Sequence, residues 1–195
     1  MRIILASSSP RRKELLAQLG LGFAIISPDI DESLRPDEDL TDYAQRLSRE
    51  KAAAVLRQID QQPSLIIAAD TVVEHQGELL GKPANAQAAQ AMLLRLRGRA
   101  HTVISGFTVR RAGDTPRSIT RYARTIVYMR EYSEAEIAAY IASGDPFDKA
   151  GGYAIQNKAF HPVARIKGSY SNVVGLPLEA LRLALAELGL PTASD

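Results

Sequence analysis

Arg2-Ile3-Ile4-Leu5-Ala6-Ser7-Ser8-Ser9-Pro10-Arg11-Arg12-Lys13 reads as a strand that turns directly into a helix. The apolar run 2–6 suits a short buried strand. Ser9 is a suitable N-cap, and Pro10 fits the first helical turn, where its missing N–H costs no intrahelical bond. Gly20 should stop the helix near Leu19.

The same alternation continues downstream. Residues 23–27 form another apolar run, 28–39 are acidic and loop-like, and Thr41 is placed to cap a long helix through about Gln58, with Tyr43, Leu47, Ala54 and Leu56 among its apolar positions. Residues 65–69 predict a strand that ends at Asp70, extended chain runs on through 71–75, and Gly77 marks a turn. A helix is expected over 85–96, and two long antiparallel strands over 101–110 and 119–129, joined by a turn in 112–116. Ser133 and Glu136 have capping-box spacing, and Tyr132 and Ile137 have staple spacing, which predicts a helix over 134–142. A Gly- and Asp-bearing loop follows at 144–153, then a last helix over about 178–188 and a loose tail at 191–195. Helices alternating with strands, with a strand pair between, predict an α/β fold with a mixed β-sheet. There is no internal repeat, low-complexity tract or linker, so the 195 residues suit one domain, with room for two lobes.

Composition narrows the chemistry. The chain has no cysteine, which excludes disulfides, thiolate metal sites and cysteine nucleophiles, so a metal must be held by oxygen or histidine. Lys+Arg total 24 against 22 Asp+Glu, a net charge of +2, which argues against a nucleic-acid coating protein but not against a small anionic ligand. The N-terminal apolar run is too short for a signal peptide, and no stretch approaches a membrane span. The expected setting is soluble and cytoplasmic.

Several clusters could carry chemistry. Ser7, Ser9, Arg11 and Arg12 stand at a strand-to-helix junction, where free backbone N–H groups and guanidinium forks favour phosphate; a capped helix with solvated arginines would look the same. Asp70, followed by Thr71, ends a buried strand, where α/β ligands bind, and could hold Mg²⁺ or accept a proton from water; a turn aspartate is an equal reading. Glu32, Lys51 and Lys82 are individually weak signals, since helix lysines are usually just solvated. Gly81-Lys82-Pro83 is not a P-loop, lacking both the glycine spacing and the following Ser/Thr. The segment 144–156 carries Asp145, Asp148, Lys149, three glycines and Gln156, whose amide could read a base edge. Residues 167–177 supply small donors ahead of the last helix. His75, His101 and His161 have no metal-ligand spacing and read as structural or surface residues.

Taken in order, Leu5-Ala6-Ser7-Ser8-Ser9-Pro10-Arg11-Arg12, Ser48-Arg49-Glu50-Lys51, Ala69-Asp70-Thr71-Val72-Val73, Gly81-Lys82-Pro83, the 144–156 loop, and Gly168-Ser169-Tyr170 through Pro177 closely resemble the Maf family. They span nearly the whole chain. The resemblance implies an inosine-triphosphatase-like fold: an elongated mixed β-sheet with flanking helices, in a single bilobal domain over 1–195 with two lobes around a deep cleft. It implies a nucleoside triphosphate pyrophosphatase that hydrolyses the α–β phosphoanhydride, and a homodimer. By the same resemblance Asp70 is the general base and Glu32, Lys51 and Lys82 line its site, while Arg11, Thr71 and Gln156 stand at positions tied to substrate choice. Asp148-Lys149-Ala150-Gly151 followed by Ile155-Gln156 looks like the branch acting on dTTP and UTP, although Asn157 replaces a glycine common among relatives. A polyanionic substrate attacked by water needs positive charge. Glu32 and Asp70 are therefore expected to help hold Mg²⁺ or Mn²⁺, directly or through water, Arg11, Arg12, Lys51 and Lys82 to clamp phosphate oxygens, and Asp70 to orient or deprotonate the attacking water. The other reading is a cell-division regulator of septum formation, acting through a protein partner or nucleic acid.

Overall fold

The computed structural model describes residues 1–59, 63–113 and 115–190. The expected tail at 191–195, and Asp114 in the expected 112–116 turn, lie outside them. The elements in chain order are β1 (Arg2–Ala6), α1 (Pro10–Ala17), β2 (Ala24–Ile25), α2 (Leu40–Leu56), β3 (Ser64–His75), β4 (Glu78–Leu80), α3 (Ala86–Leu96), β5 (Ala100–Ala112), β6 (Arg117–Met129), α4 (Glu134–Ala142), β7 (Val163–Lys167), α5 (Tyr170–Val174) and α6 (Leu178–Glu187). Two short 3₁₀ turns, Asp145–Asp148 and Ala150–Gly152, lie between α4 and β7. The strands form one seven-stranded mixed sheet in the order β2-β1-β3-β5-β6-β7, with β4 paired to β3. β1 is parallel to β2 and β3, while β4 is antiparallel to β3 and β7 to β6. No helix among the described residues is long and apolar enough to cross a membrane.

The described residues of Met1–Thr71, Ser105–Ala123 and Gly175–Asp195 make one compact unit, and those of Val72–Ile104 and Arg124–Val174 a second. In the first unit Ile4, Ala6, Ile66 and Ala68 pack against Ala52 and Val55 of α2. Leu5, Ile67 and Leu65 are buried as well, so these strands are covered on both faces, which is why they read as unbroken apolar runs. Gly106 lets β5 approach α2 closely: a Cβ there would stand 2.4 Å from the carbonyl carbon of Ala44. The second unit has its own core, built from Val73, Leu93, Val103, Val127, Tyr132, Ile137, Tyr140 and Phe160 among others.

Several local expectations are corrected. The α2 cap is Asp39, not Thr41: its carboxylate accepts from Thr41 N and Asp42 N, and a negative group suits a helix N-terminus. Thr41 lies inside the helix and is buried. The expected strand at 23–27 shrinks to two residues, because its register with β1 covers only Ile4↔Ala24 and Leu5↔Ile25. The strand does not end at Asp70: β3 joins it without a break to the extended chain that was expected over 71–75. β4, β7 and α5 had no counterpart in the sequence reading. The last two are short, five residues each, and β7 buries no residue fully, so neither presents a clear apolar period.

Candidate functional site

In the first unit the strand order does the assembling. Ala6 and Ala68 are register partners on parallel strands, so Ser7, just past the end of β1, stands near Asp70 in the middle of β3. Ser9 caps α1 as expected: its backbone is extended and its Oγ accepts from Arg12 N at 3.4 Å. Ser7 Oγ accepts from Ser9 N at 3.1 Å, which fixes the turn between strand and helix. The Arg12 side chain reaches back across the sheet end. Its Nε donates to Gly175 O at 2.9 Å and its Nη2 to Thr71 Oγ1 at 3.2 Å. Thr71 Oγ1 also lies 2.8 Å from Ser105 Oγ. Burial lowers the Arg12 pKa below its ordinary value, with Asp70 opposing that shift and Arg11 adding to it.

Lys51, near the end of α2, is buried, and its ammonium bridges two carboxylates: Asp70 Oδ1 at 2.6 Å and Glu32 Oε1 at 2.7 Å. Asp70 is nearly as buried as Lys51, whereas the Glu32 side chain is 56% exposed. An ammonium is therefore neutralised inside the fold by one buried and one half-open carboxylate. The backbone that carries Glu32 has no regular structure and is held by α2: Tyr43 OH donates to Glu32 O at 2.6 Å and Arg46 Nη2 to Ser33 O at 2.9 Å. Arg46 also grips Glu38 through Nε at 2.6 Å and Nη2 at 2.8 Å. That pairing raises the Arg46 pKa and holds Glu38 below its usual range.

In the second unit, Lys82 is exposed just after β4, and Gly81 O accepts from Gly151 N at 3.1 Å. The 144–157 loop is tied by its own charges. Lys149 is buried, and its ammonium donates to Asp145 O at 2.6 Å, Asp145 Oδ1 at 2.9 Å and Asp148 Oδ1 at 2.5 Å. Asn157 Nδ2 donates to Asp145 Oδ2 at 3.0 Å, and Asn157 Oδ1 accepts from Phe160 N at 2.7 Å. Burial pushes the Asp145 carboxyl up, but hydrogen bonds from Lys149, Asn157 and Tyr140 outweigh it and hold the carboxyl low. Gln156 is exposed, as is the Asp148 side chain.

The family model for Maf-like protein matches residues 2–188. This chain belongs to the Maf-like protein family. It is 48% identical over 193 residues to the dTTP/UTP pyrophosphatase of Chromobacterium violaceum, covering 96% of this chain and 95% of that one. It is 47% identical over 195 residues to the dTTP/UTP pyrophosphatase of Hahella chejuensis, covering 100% and 96%. It is 47% identical over 189 residues to that of Geotalea uraniireducens, covering 96% and 95%.

The fold of this Maf-like chain brings Arg12, Glu32, Lys51, Asp70 and Thr71 together in one unit, with Ser7 and Ser9 shaping the α1 entry. Arg11 is half-buried on the same turn. Lys82, Asp148, Lys149 and Gln156 belong to the other unit. Sequence reasoning missed Tyr43 and Arg46. Tyr43 was read as an apolar core position, and Arg46 gave no signal beyond its spacing: 43, 46, 50 and 51 share one helix face. As for a metal, no group of three or more His, Asp or Glu comes together among the described residues. The hard oxygen donors at hand are the carboxylates of Glu32 and Asp70, already gathered around one positive charge. Such a pair suits a cation of the Mg²⁺ kind, which binds through one or two carboxylates and completes its shell with water and substrate phosphates.

Proposed function

We propose that this Maf-like protein hydrolyses the α–β phosphoanhydride of dTTP and UTP, releasing the nucleoside monophosphate and pyrophosphate in the cytoplasm. Relatives at 47–48% identity over nearly the full chain carry the name dTTP/UTP pyrophosphatase, which supports the reading. The observation that carries it is the buried Lys51 ammonium between Asp70 and Glu32, with Arg12 from the first turn of α1 bonded to Thr71, the next residue after Asp70. A general base, a compact cation and an anion-favouring helix entry are what phosphoanhydride hydrolysis by water requires.

In this reading Asp70 accepts the proton of the attacking water as its oxygen bonds to the α-phosphorus. The bond from that phosphorus to the bridging oxygen breaks, and pyrophosphate leaves with its negative charge offset by cationic side chains. Lys51 holds Asp70 in place and offers positive charge to the phosphates. Arg11 and Arg12 contact phosphate oxygens, as does Lys82. Bound Mg²⁺ or Mn²⁺, held by Glu32 and Asp70, supplies further charge neutralisation. Gln156 reads the pyrimidine edge, with Thr71, Asp148 and Lys149 contributing to substrate binding.

The test is a panel of nucleoside triphosphates turned over with Mg²⁺ or Mn²⁺ in isotopically labelled water, with products identified by mass. Monophosphate carrying the label, plus unlabelled pyrophosphate, with dTTP and UTP preferred, supports the reading. Diphosphate plus orthophosphate, or label in pyrophosphate, contradicts it.

A further inference from the structure

We propose that Tyr43 and Arg46 are positioning residues that fix the Glu32 carboxylate by clamping two successive backbone carbonyls, its own and that of Ser33. The inference rests on the site reading above and deepens it. Glu32 lies on an irregular segment before α2, and its side chain is more than half exposed. Lys51 is buried, but the Glu32 end of the pair is open to water, which screens it and leaves the glutamate side chain to be ordered by other means. The backbone of the segment has hydrogen bonds of its own beside that contact.

What holds it is donated from a rigid helix. Tyr43 and Arg46 are both buried, 8% and 6% exposed. The Tyr43 hydroxyl takes the Glu32 carbonyl at 2.6 Å, and one arm of the Arg46 guanidinium takes the next carbonyl, Ser33 O, at 2.9 Å. The rest of the Arg46 fork is occupied by Glu38 at the far end of the segment and by Glu50 one turn along the helix at 3.0 Å. Ser33 closes the near end, donating through N at 2.9 Å and Oγ at 2.6 Å to Asp31 Oδ1. Lys51 stands on the same helix. α2 thus carries both the cation that Glu32 meets and the clamp that brings Glu32 to it, so the carboxylate is in place before substrate arrives.

The experiment is a double-mutant cycle between Tyr43→Phe and Glu32→Gln on the full chain, read by kcat/KM for dTTP, by Mn²⁺ binding followed by electron paramagnetic resonance, and by amide exchange. Tyr43→Phe is expected to lower kcat/KM about fivefold, the scale of one lost hydrogen bond, to weaken Mn²⁺ binding, and to speed exchange at residues 32–34 but not in the core of α2. In the Glu32→Gln background it should cost nothing further. Arg46→Lys, which keeps the charge but loses the fork, should reproduce the pattern if Tyr43→Phe does not fold. An equal loss in both backgrounds, or unchanged exchange at 32–34, overturns the clamp while leaving the site reading intact. Wild-type turnover in Glu32→Gln alone overturns both.

Discussion

Asp70 and Lys51 are each ambiguous as letters, and their meeting is what gives them meaning. A strand-end aspartate reads equally well as a turn former, and a helix lysine is usually solvated. Here both are buried and 2.6 Å apart. Replacing Asp70 by Asn keeps the side chain's shape and an oxygen for Lys51 Nζ, but removes the charge and the basicity. Turnover should fall at least about 100-fold, the lower end of what a general base contributes, while thermal melting followed by circular dichroism shows the chain still folded. Near-normal kcat would remove Asp70 as the base. Lys51, Asp70 and Thr71 stand inside motifs that carry the family resemblance, whereas Glu32 lies in an acidic loop with no motif of its own and was named only through that resemblance. Tyr43 and Arg46 were not legible, because their roles depend on where an irregular segment folds back, and no local period encodes that.

Elements were legible where their ends carry local chemistry. The α4 boundaries came out as expected because Ser133 and Glu136 satisfy each other's backbone donors, and because Tyr132 and Ile137 enter one core cluster. The α2 cap was misplaced by two residues because Asp39 and Thr41 are both competent caps, and only the path of the incoming chain selects between them. The α4 box also sets a titration. The Ser133 N–H, then Arg130 and the Ser133 hydroxyl, lower the Glu136 carboxyl to about 2. A depressed folded-state pKa means that the box's contribution is fully present above the ordinary glutamate range. It is lost as pH falls from there toward 2. Carbon-detected NMR titration of Glu136 should give a midpoint near 2, and Ser133→Ala should move it upward. A midpoint in the ordinary carboxyl range for the unaltered chain would mean that the box does not form in solution.

At the scale of the whole chain, alternating helices and strands were enough to give the fold class, but not the contacts that close it. Arg12 and Gly175 are 163 positions apart, and nothing in either neighbourhood announces their hydrogen bond. The first unit is made of three chain segments. Thr71 ends the first, Ser105 begins the second and Gly175 begins the third. Arg12 donates to Thr71 Oγ1 and to Gly175 O, and Thr71 bonds Ser105. One guanidinium thus gathers the segment ends of its unit, which gives the family's Ser-Pro-Arg-Arg signature a structural duty beside any phosphate it binds. Arg12→Met keeps the apolar stem and removes the donors, leaving half-buried Thr71 and buried Gly175 short of a charged partner. Such a change is expected to cost about 1.5–3 kcal/mol, seen as a lower urea midpoint at unchanged slope, with faster amide exchange near Thr71 and Gly175. An unmoved midpoint would show that these hydrogen bonds add nothing to folding, and that Arg12 is kept at this position for its ligand alone.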